Sequence, residues 1–220
     1  MSEPWSCVLF DVDGTIVDSA PQVTRAFQLA LEEAGLDVPG ADRLRRYVGP
    51  PLWHSFSDLG YEGELVAALV KSYRRIYDAM FLDPLPFPGV VELLHALHAQ
   101  GLPLATATSK QQYMAAAQLE HLGLTPAFDV IAGATPGPGS TKATVIADAL
   151  ARLDARGADV SRPVLVGDSI WDVEGARSAG VEVIGVSWGY GEDSDLASCV
   201  ALASSVEELG ALVGLKETAS

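Results

Sequence analysis

Apolar and polar positions divide the chain into two regions of different rhythm. From 18 to 84 the apolar residues recur at helical spacing. Asp18, Ser19 and Pro21 form a helix start, and Val23, Phe27, Leu31 and Ala34 repeat every three or four positions until Gly35 ends the run. A second helix is expected over 64–80, with Leu65, Leu69, Tyr73, Ile76 and Tyr77 on one side. The segment Asp83-Pro84-Leu85-Pro86-Phe87-Pro88-Gly89 then breaks the pattern as a boundary or hinge. Beyond it, helices alternate with apolar strands: a helix over 89–100 before a strand over 102–107, and one over 111–122 before 128–132. A helix over 141–153 then precedes a strand over 164–166, and one over 171–179 precedes 181–186. A last helix follows a capping box from Ser205 to Glu208. With an opening strand at 7–10, this predicts an α/β fold, a doubly wound parallel sheet covered on both faces with right-handed crossovers. An all-helical domain is inserted over 18–84, and residues 1–17 and 85–220 make the core.

The first strand ends abruptly. Cys7-Val8-Leu9-Phe10 is apolar and runs straight into Asp11-Val12-Asp13-Gly14-Thr15. Side chains two apart on an extended backbone face the same side. Two carboxylates so placed resist joint ionisation unless a cation, a proton or hydrogen bonds relieve them. A strand that merely ends in an Asp-Gly turn would also place acids here. In open α/β sheets, however, ligands bind outside the carboxyl ends of the strands, and the other predicted strand ends carry Thr108-Ser109-Lys110 and Gly167-Asp168-Ser169-Ile170-Trp171-Asp172. Lys142 stands at a helix start after the strand at 128–132. Each group alone is common in caps and turns; their convergence on one sheet edge points to a site.

Composition narrows the partners. The 220 residues are 49% hydrophobic and 20% charged, as in a folded globular chain. A net charge of −15 argues against a nucleic-acid backbone or an anionic membrane as partner, and implies that any phosphate site needs a metal ion or a few well-placed cations. There is no apolar run of membrane-spanning length, and Met1-Ser2-Glu3-Pro4 lacks signal-peptide character. Cys7 and Cys199 make no disulfide framework. A cytoplasmic protein is expected, monomer or homodimer.

The constellation resembles the haloacid dehalogenase superfamily, whose four motifs match in order: Asp11-Val12-Asp13-Gly14-Thr15, Thr108, Lys142, and Gly167-Asp168 with Asp172. The insertion sits where that superfamily carries a helical cap of the first type on a Rossmann-like core. Many relatives have proline after the motif-three lysine, whereas Ala143 follows Lys142 here. The resemblance implies that Asp11 is a nucleophile forming an aspartyl-phosphate and that Asp13 is the general acid and base. It further implies that Thr108 and Lys142 contact the phosphoryl oxygens, with Gly14, Thr15 and Ser109 lining the substrate. Mg2+ is the expected cofactor, on the Asp11 carboxylate, the Asp13 carbonyl and Asp168, with Asp172 in an outer position.

Asp13 favours a phosphatase or phosphomutase, since the dehalogenases of this superfamily lack that second acid. A phosphonatase would need a cap lysine, and Lys71, the one cap lysine, lies in a helical pattern as a solvated residue. In the insertion, Val48-Gly49-Pro50-Pro51-Leu52-Trp53-His54 resembles a turn that faces the active site in phosphoglycolate phosphatase-like members, which makes Pro50, Arg45 and Arg46 candidate substrate contacts; a solvated face is an equal reading for the arginines. Ser187-Trp188-Gly189-Tyr190-Gly191 resembles the same branch and reads as loop structure, and His95, His98 and His121 as solvated or partly packed helix residues. The expected activity is hydrolysis of a small phosphorylated metabolite, with a 5′-nucleotidase or a phosphosugar mutase as alternatives. Rivals of another class are a phospho-accepting signalling receiver and an inactive binding module.

Overall fold

The computed structural model describes residues 4–136, 139–192 and 194–216. Strand β1 (Cys7–Phe10) is buried at every residue. Its two sides feed two cores: Val8 and Phe10 enter one hydrophobic cluster, Cys7 and Leu9 another. This is the two-residue period of a strand covered on both faces. The chain continues through β2 (Val17–Asp18), α1 (Ala20–Glu33), α2 (Ala41–Leu44), a 3-10 turn at Arg45–Tyr47, α3 (Leu52–Asp58) and α4 (Gly63–Tyr77). β3 (Leu85–Pro86) then pairs antiparallel with β2, so the two connections of the helical insertion run side by side.

The remainder alternates: α5 (Val90–Ala99), β4 (Leu104–Thr106), β5 (Thr108–Gln111), α6 (Gln112–His121), β6 (Gly133–Ala134), α7 (Lys142–Asp154), β7 (Pro163–Gly167), α8 (Ile170–Ala179), β8 (Glu182–Val186), β9 (Ala201–Ala203) and α9 (Val206–Leu212). Five strands form one parallel sheet in the order β4-β1-β7-β8-β9. Leu94 and Leu97 of α5 and Leu209 of α9 cover one face; Ile146 and Ala149 of α7 and Val173 and Ala176 of α8 cover the other. The chain leaves β1 toward β4 on one side and returns to β7 on the other. The crevice at such a reversal is where doubly wound sheets hold ligands.

Four local expectations change. Residues 128–132 form no regular strand: Val130 makes a single bridge to Ala105. Side chains take over part of the pairing there, since Asp129 Oδ2 accepts from Leu104 N–H and the Thr106 hydroxyl bonds both N–H and carbonyl of Ala132, each at 2.9 Å. β9 is an addition, too short and too alanine-rich to stand out. On α4 the buried side begins at Val66, not Leu65, which is 39% exposed, and the helix ends at Tyr77 rather than Met80. The capping box at α9 is half formed. Ser205 Oγ accepts from Glu208 N–H, but the Glu208 carboxylate accepts from Ser204.

Helices α1–α4 bury a cluster of their own, to which Met114 and Tyr190 also contribute. Phe27 lies at its centre, fully buried, with ring centroids 4.8 Å from Tyr73, 4.9 Å from Phe56 and 5.8 Å from Tyr47. Phe27→Ala should therefore cost about 3–5 kcal/mol in urea unfolding. A loss below about 1 kcal/mol would show that this cluster does not hold the insertion together.

Candidate active site

Asp11 continues the β1–β7 ladder one residue past the strand, its N–H donating to Val166 O at 2.9 Å. Ala107 N–H likewise donates to Phe10 O, which brings buried Thr108 to the same sheet edge. Thr141 caps α7, its hydroxyl accepting from Thr144 N–H, and so sets Lys142 as the first helical residue. Lys142 Nζ lies 2.8 Å from Asp11 Oδ1 and 2.6 Å from Asp172 Oδ1. The aliphatic stem of Lys142 runs against α8 at Gly175, where a Cβ would come within 2.4 Å of Lys142 Cγ. Any larger residue there would push the lysine aside.

The other acids are fixed just as closely. Asp172 Oδ2 accepts from Ser169 Oγ at 2.8 Å, Ser169 N–H at 3.0 Å and Asp168 N–H at 3.2 Å, which ties it to the first turn of α8. Asp168 Oδ2 accepts from Tyr190 N–H at 2.8 Å, and its Oδ1 from the Thr15 hydroxyl at 3.4 Å. Gly14 turns at φ +84°, and a Cβ on it would lie 2.3 Å from Asp168 Oδ2. The turn is glycine because the carboxylate occupies that space.

Asp11, Asp168 and Asp172 are all buried, and one oxygen from each lies within 4.8 Å of the others. Burial pushes the Asp11 carboxyl from 3.8 up to about 6; Asp172 and Asp13 add to the rise, and Lys142 opposes it. Burial also raises Asp168 well above its ordinary range, helped by Asp172 and Asp11. Burial acts to lower Lys142, but Asp11 and Asp172 more than reverse this and hold it above its usual value. Asp11 Oδ1 and Asp172 Oδ1 are buried, and among the described residues each meets only the Lys142 ammonium, at ion-pair distance. Three buried carboxylates sharing one ammonium, in an all-oxygen donor set, suit a hard divalent cation such as Mg2+.

Residues 8–186 match the family model of haloacid dehalogenase-like hydrolases. The chain belongs to this family. It is 37% identical over 215 residues to the tyrosine-protein kinase PtkA of Mycobacterium tuberculosis, covering 94% of this chain and 72% of that protein. It is 37% identical over 194 residues to the phosphoglycolate phosphatase of Caulobacter vibrioides, covering 84% of this chain and 81% of that one. Among solved structures, a predicted phosphatase from Clostridium acetobutylicum superposes with a TM-score of 0.87 at 31% identity, covering 96% of this chain and 99% of that one.

The remaining candidates of this dehalogenase-like hydrolase fall into two places. Thr15 is buried beside Asp168, and Ser109 is exposed next to Thr108. Arg46 and Pro50 line a cleft of about 210 Å3 between insertion and core, together with His54, Ser169, Trp171 and Tyr190. Arg45 instead lies over the Tyr190 ring, 5.1 Å from its centroid. Asp172, given an outer position by the sequence, has one oxygen grouped with those of Asp11 and Asp168. Two residues carried no role in the sequence. Tyr190 binds Asp168 through its N–H, and its hydroxyl donates to Asp18 Oδ1 and accepts from Ala20 N–H where the insertion begins. Lys110 Nζ sits 2.8 Å from Asp13 Oδ1. Its signal was its place two residues past Thr108, on the same side of an extended backbone.

Asp11 and Asp168 bind a proton more tightly in the folded chain than in the unfolded one. The stability this gives is fully present below about pH 3.8 and is lost as pH rises through about 6. In chelator, the protein should be roughly 1–3 kcal/mol less stable to urea at pH 8 than at pH 5, and Asp11→Asn should flatten that slope. Equal stability at both values would contradict the electrostatics described here.

Proposed function

We propose that the chain is a Mg2+-dependent phosphomonoesterase that acts on a small phosphorylated metabolite through an aspartyl-phosphate on Asp11, as phosphoglycolate phosphatases do. The observation that carries this reading is one sheet edge holding a lysine-paired carboxylate, a second acid two residues on, and two further buried acids. The Asp11 carboxylate attacks phosphorus in line, and the bond to the leaving oxygen breaks as the new oxygen–phosphorus bond forms. Asp13 gives its proton to the departing oxygen. It then takes a proton from the water that attacks the aspartyl-phosphate, which frees phosphate and restores Asp11. Thr108 donates to a phosphoryl oxygen, and Lys142 offsets negative charge on the transferring group. Mg2+, held by Asp11, Asp168 and the Asp13 carbonyl with Asp172 alongside, would supply further positive charge to the phosphoryl oxygens.

The helical insertion acts as a cap that closes over the substrate and excludes water. Arg46 and Pro50, in the cleft between cap and core, are placed to select among leaving groups. A signalling receiver would not need Asp13 as an acid beside its phosphorylated residue, nor a helical unit over its site.

The wild-type protein should release phosphate from p-nitrophenyl phosphate and from phosphoglycolate, and chelation should abolish both reactions. Asp11→Asn should lower turnover by roughly 10³-fold or more. Turnover that survives chelation, full activity in Asp11→Asn, or transfer from ATP to a tyrosine in place of hydrolysis would each refute the reading. Arg46→Ala should shift the ratio of rates between anionic and neutral leaving groups by roughly tenfold, the worth of one hydrogen bond to a charged group. A uniform change across a substrate panel would remove Arg46 from specificity.

A further inference from the structure

Lys110 is the one buried cation among the described residues that the steps above do not use. Its side chain is 2% exposed, a costly place for an ammonium unless its partners are well set. Three groups meet it. Nζ donates to Asp13 Oδ1 at 2.8 Å and to Gln118 Oε1 at 2.6 Å, and it lies 5.8 Å from the centroid of the Tyr77 ring. Gln118 is fully buried on α6 and is anchored in turn, its Nε2 donating to Phe81 O at 2.8 Å. Tyr77 ends α4, and Phe81 follows it on the way out of the helical insertion. The Lys110 N–H also donates to Thr108 Oγ1, which ties the lysine to the phosphate-binding turn.

We propose that Lys110 is a positioning residue for Asp13, and that the end of the cap secures it through Gln118 and Tyr77. This rests on the acid–base role assigned to Asp13 above. Lys110 engages Oδ1, while Asp13 Oδ2 makes no hydrogen bond among the described residues. The geometry thus leaves Oδ2 to carry the proton. That proton passes to the leaving oxygen as its bond to phosphorus breaks and the Asp11 bond forms. The carboxylate left behind stays paired with the ammonium and oriented to take a proton from the attacking water. The cap's outgoing segment reaches the acid through one contiguous chain: Phe81, Gln118, Lys110, Asp13.

Leaving groups separate this role from a merely structural one. 2,4-Dinitrophenolate departs without a proton, whereas the alkoxide of phosphoglycolate or β-glycerophosphate needs one. For each variant the ratio of kcat/KM on an alkyl phosphate to kcat/KM on 2,4-dinitrophenyl phosphate, which reports the step that expels the leaving group, is measured on one preparation, so the fraction of folded protein cancels. Asp13→Asn calibrates the loss of the acid. Lys110→Met should lower the ratio by about 10²-fold, the usual cost of a misplaced acid, with KM little changed. Gln118→Leu should lower it in the same direction but less, and Lys110→Arg should restore part of it. If Asp13→Asn lowers the ratio and Lys110→Met does not, the lysine only fills space and the inference falls. If Asp13→Asn itself leaves the ratio unchanged, the acid role fails first and the inference falls with it.

Discussion

Lys142 brings one positive charge into a buried space where Asp11, Asp168 and Asp172 can bring three negative ones. Away from water such charges interact several times more strongly than at a surface, and the lysine cannot balance them alone. Burial is the first cause of the raised proton affinities of Asp11 and Asp168, and the neighbouring acids add to it. Either protons or a divalent cation can settle the imbalance, and the cation does so without protonating Asp11, as the nucleophilic role proposed for that residue requires. The rest of the site follows from holding these groups close. Gly14 and Gly175 are the residues that let Asp168 and the Lys142 stem come so near, and Ser169 locks one oxygen of Asp172 so that the other faces the cluster.

The fold supplies that closeness through a few register facts. β1 lies between β4 and β7, so the first residues beyond three parallel strands emerge side by side. α7 and α8 pack on the same face, which delivers Lys142 from one helix start and Asp172 from the other. Hydrogen bonds join both connections of the helical insertion to this arrangement. Tyr190 links Asp168 to the incoming connection at Asp18 and Ala20, and Lys110 links Asp13 to the outgoing one at Phe81. The two connections are also paired strands, β2 with β3. Motion of the insertion, in the cap role proposed for it, would therefore act on groups that hold the acids.

Much of this was legible in the residues. β1 and its two acids announce themselves because an apolar run has no packing use for carboxylates at its tip. The alternating helices and strands are written in local periodicity, and Lys142 and Asp172 in cap and turn chemistry. What stayed hidden depends on partners far along the chain. The ion pair from Lys110 to Asp13 spans 97 positions and the hydrogen bond from the Tyr190 hydroxyl to Asp18 spans 172, and no local pattern encodes either. The irregular segment at 128–132 looked like a strand because its apolar residues are buried like one, while Asp129 and Thr106 divert its pairing. On α4, Leu69, Tyr73, Ile76 and Tyr77 are buried as expected and Leu65 alone was misplaced, since Leu65 and Val66 fit a helical stripe equally well until the neighbours are known.

The central claim is that Asp11 is the phosphoryl acceptor and needs a divalent cation to act. Beryllium fluoride, which bonds to a carboxylate oxygen as a phosphoryl mimic, tests both halves at once by 19F NMR. The wild-type protein should show bound fluorine resonances only when Mg2+ is present, and Asp11→Asn should show none. Bound resonances that persist without Mg2+, or that survive in Asp11→Asn, would contradict the account.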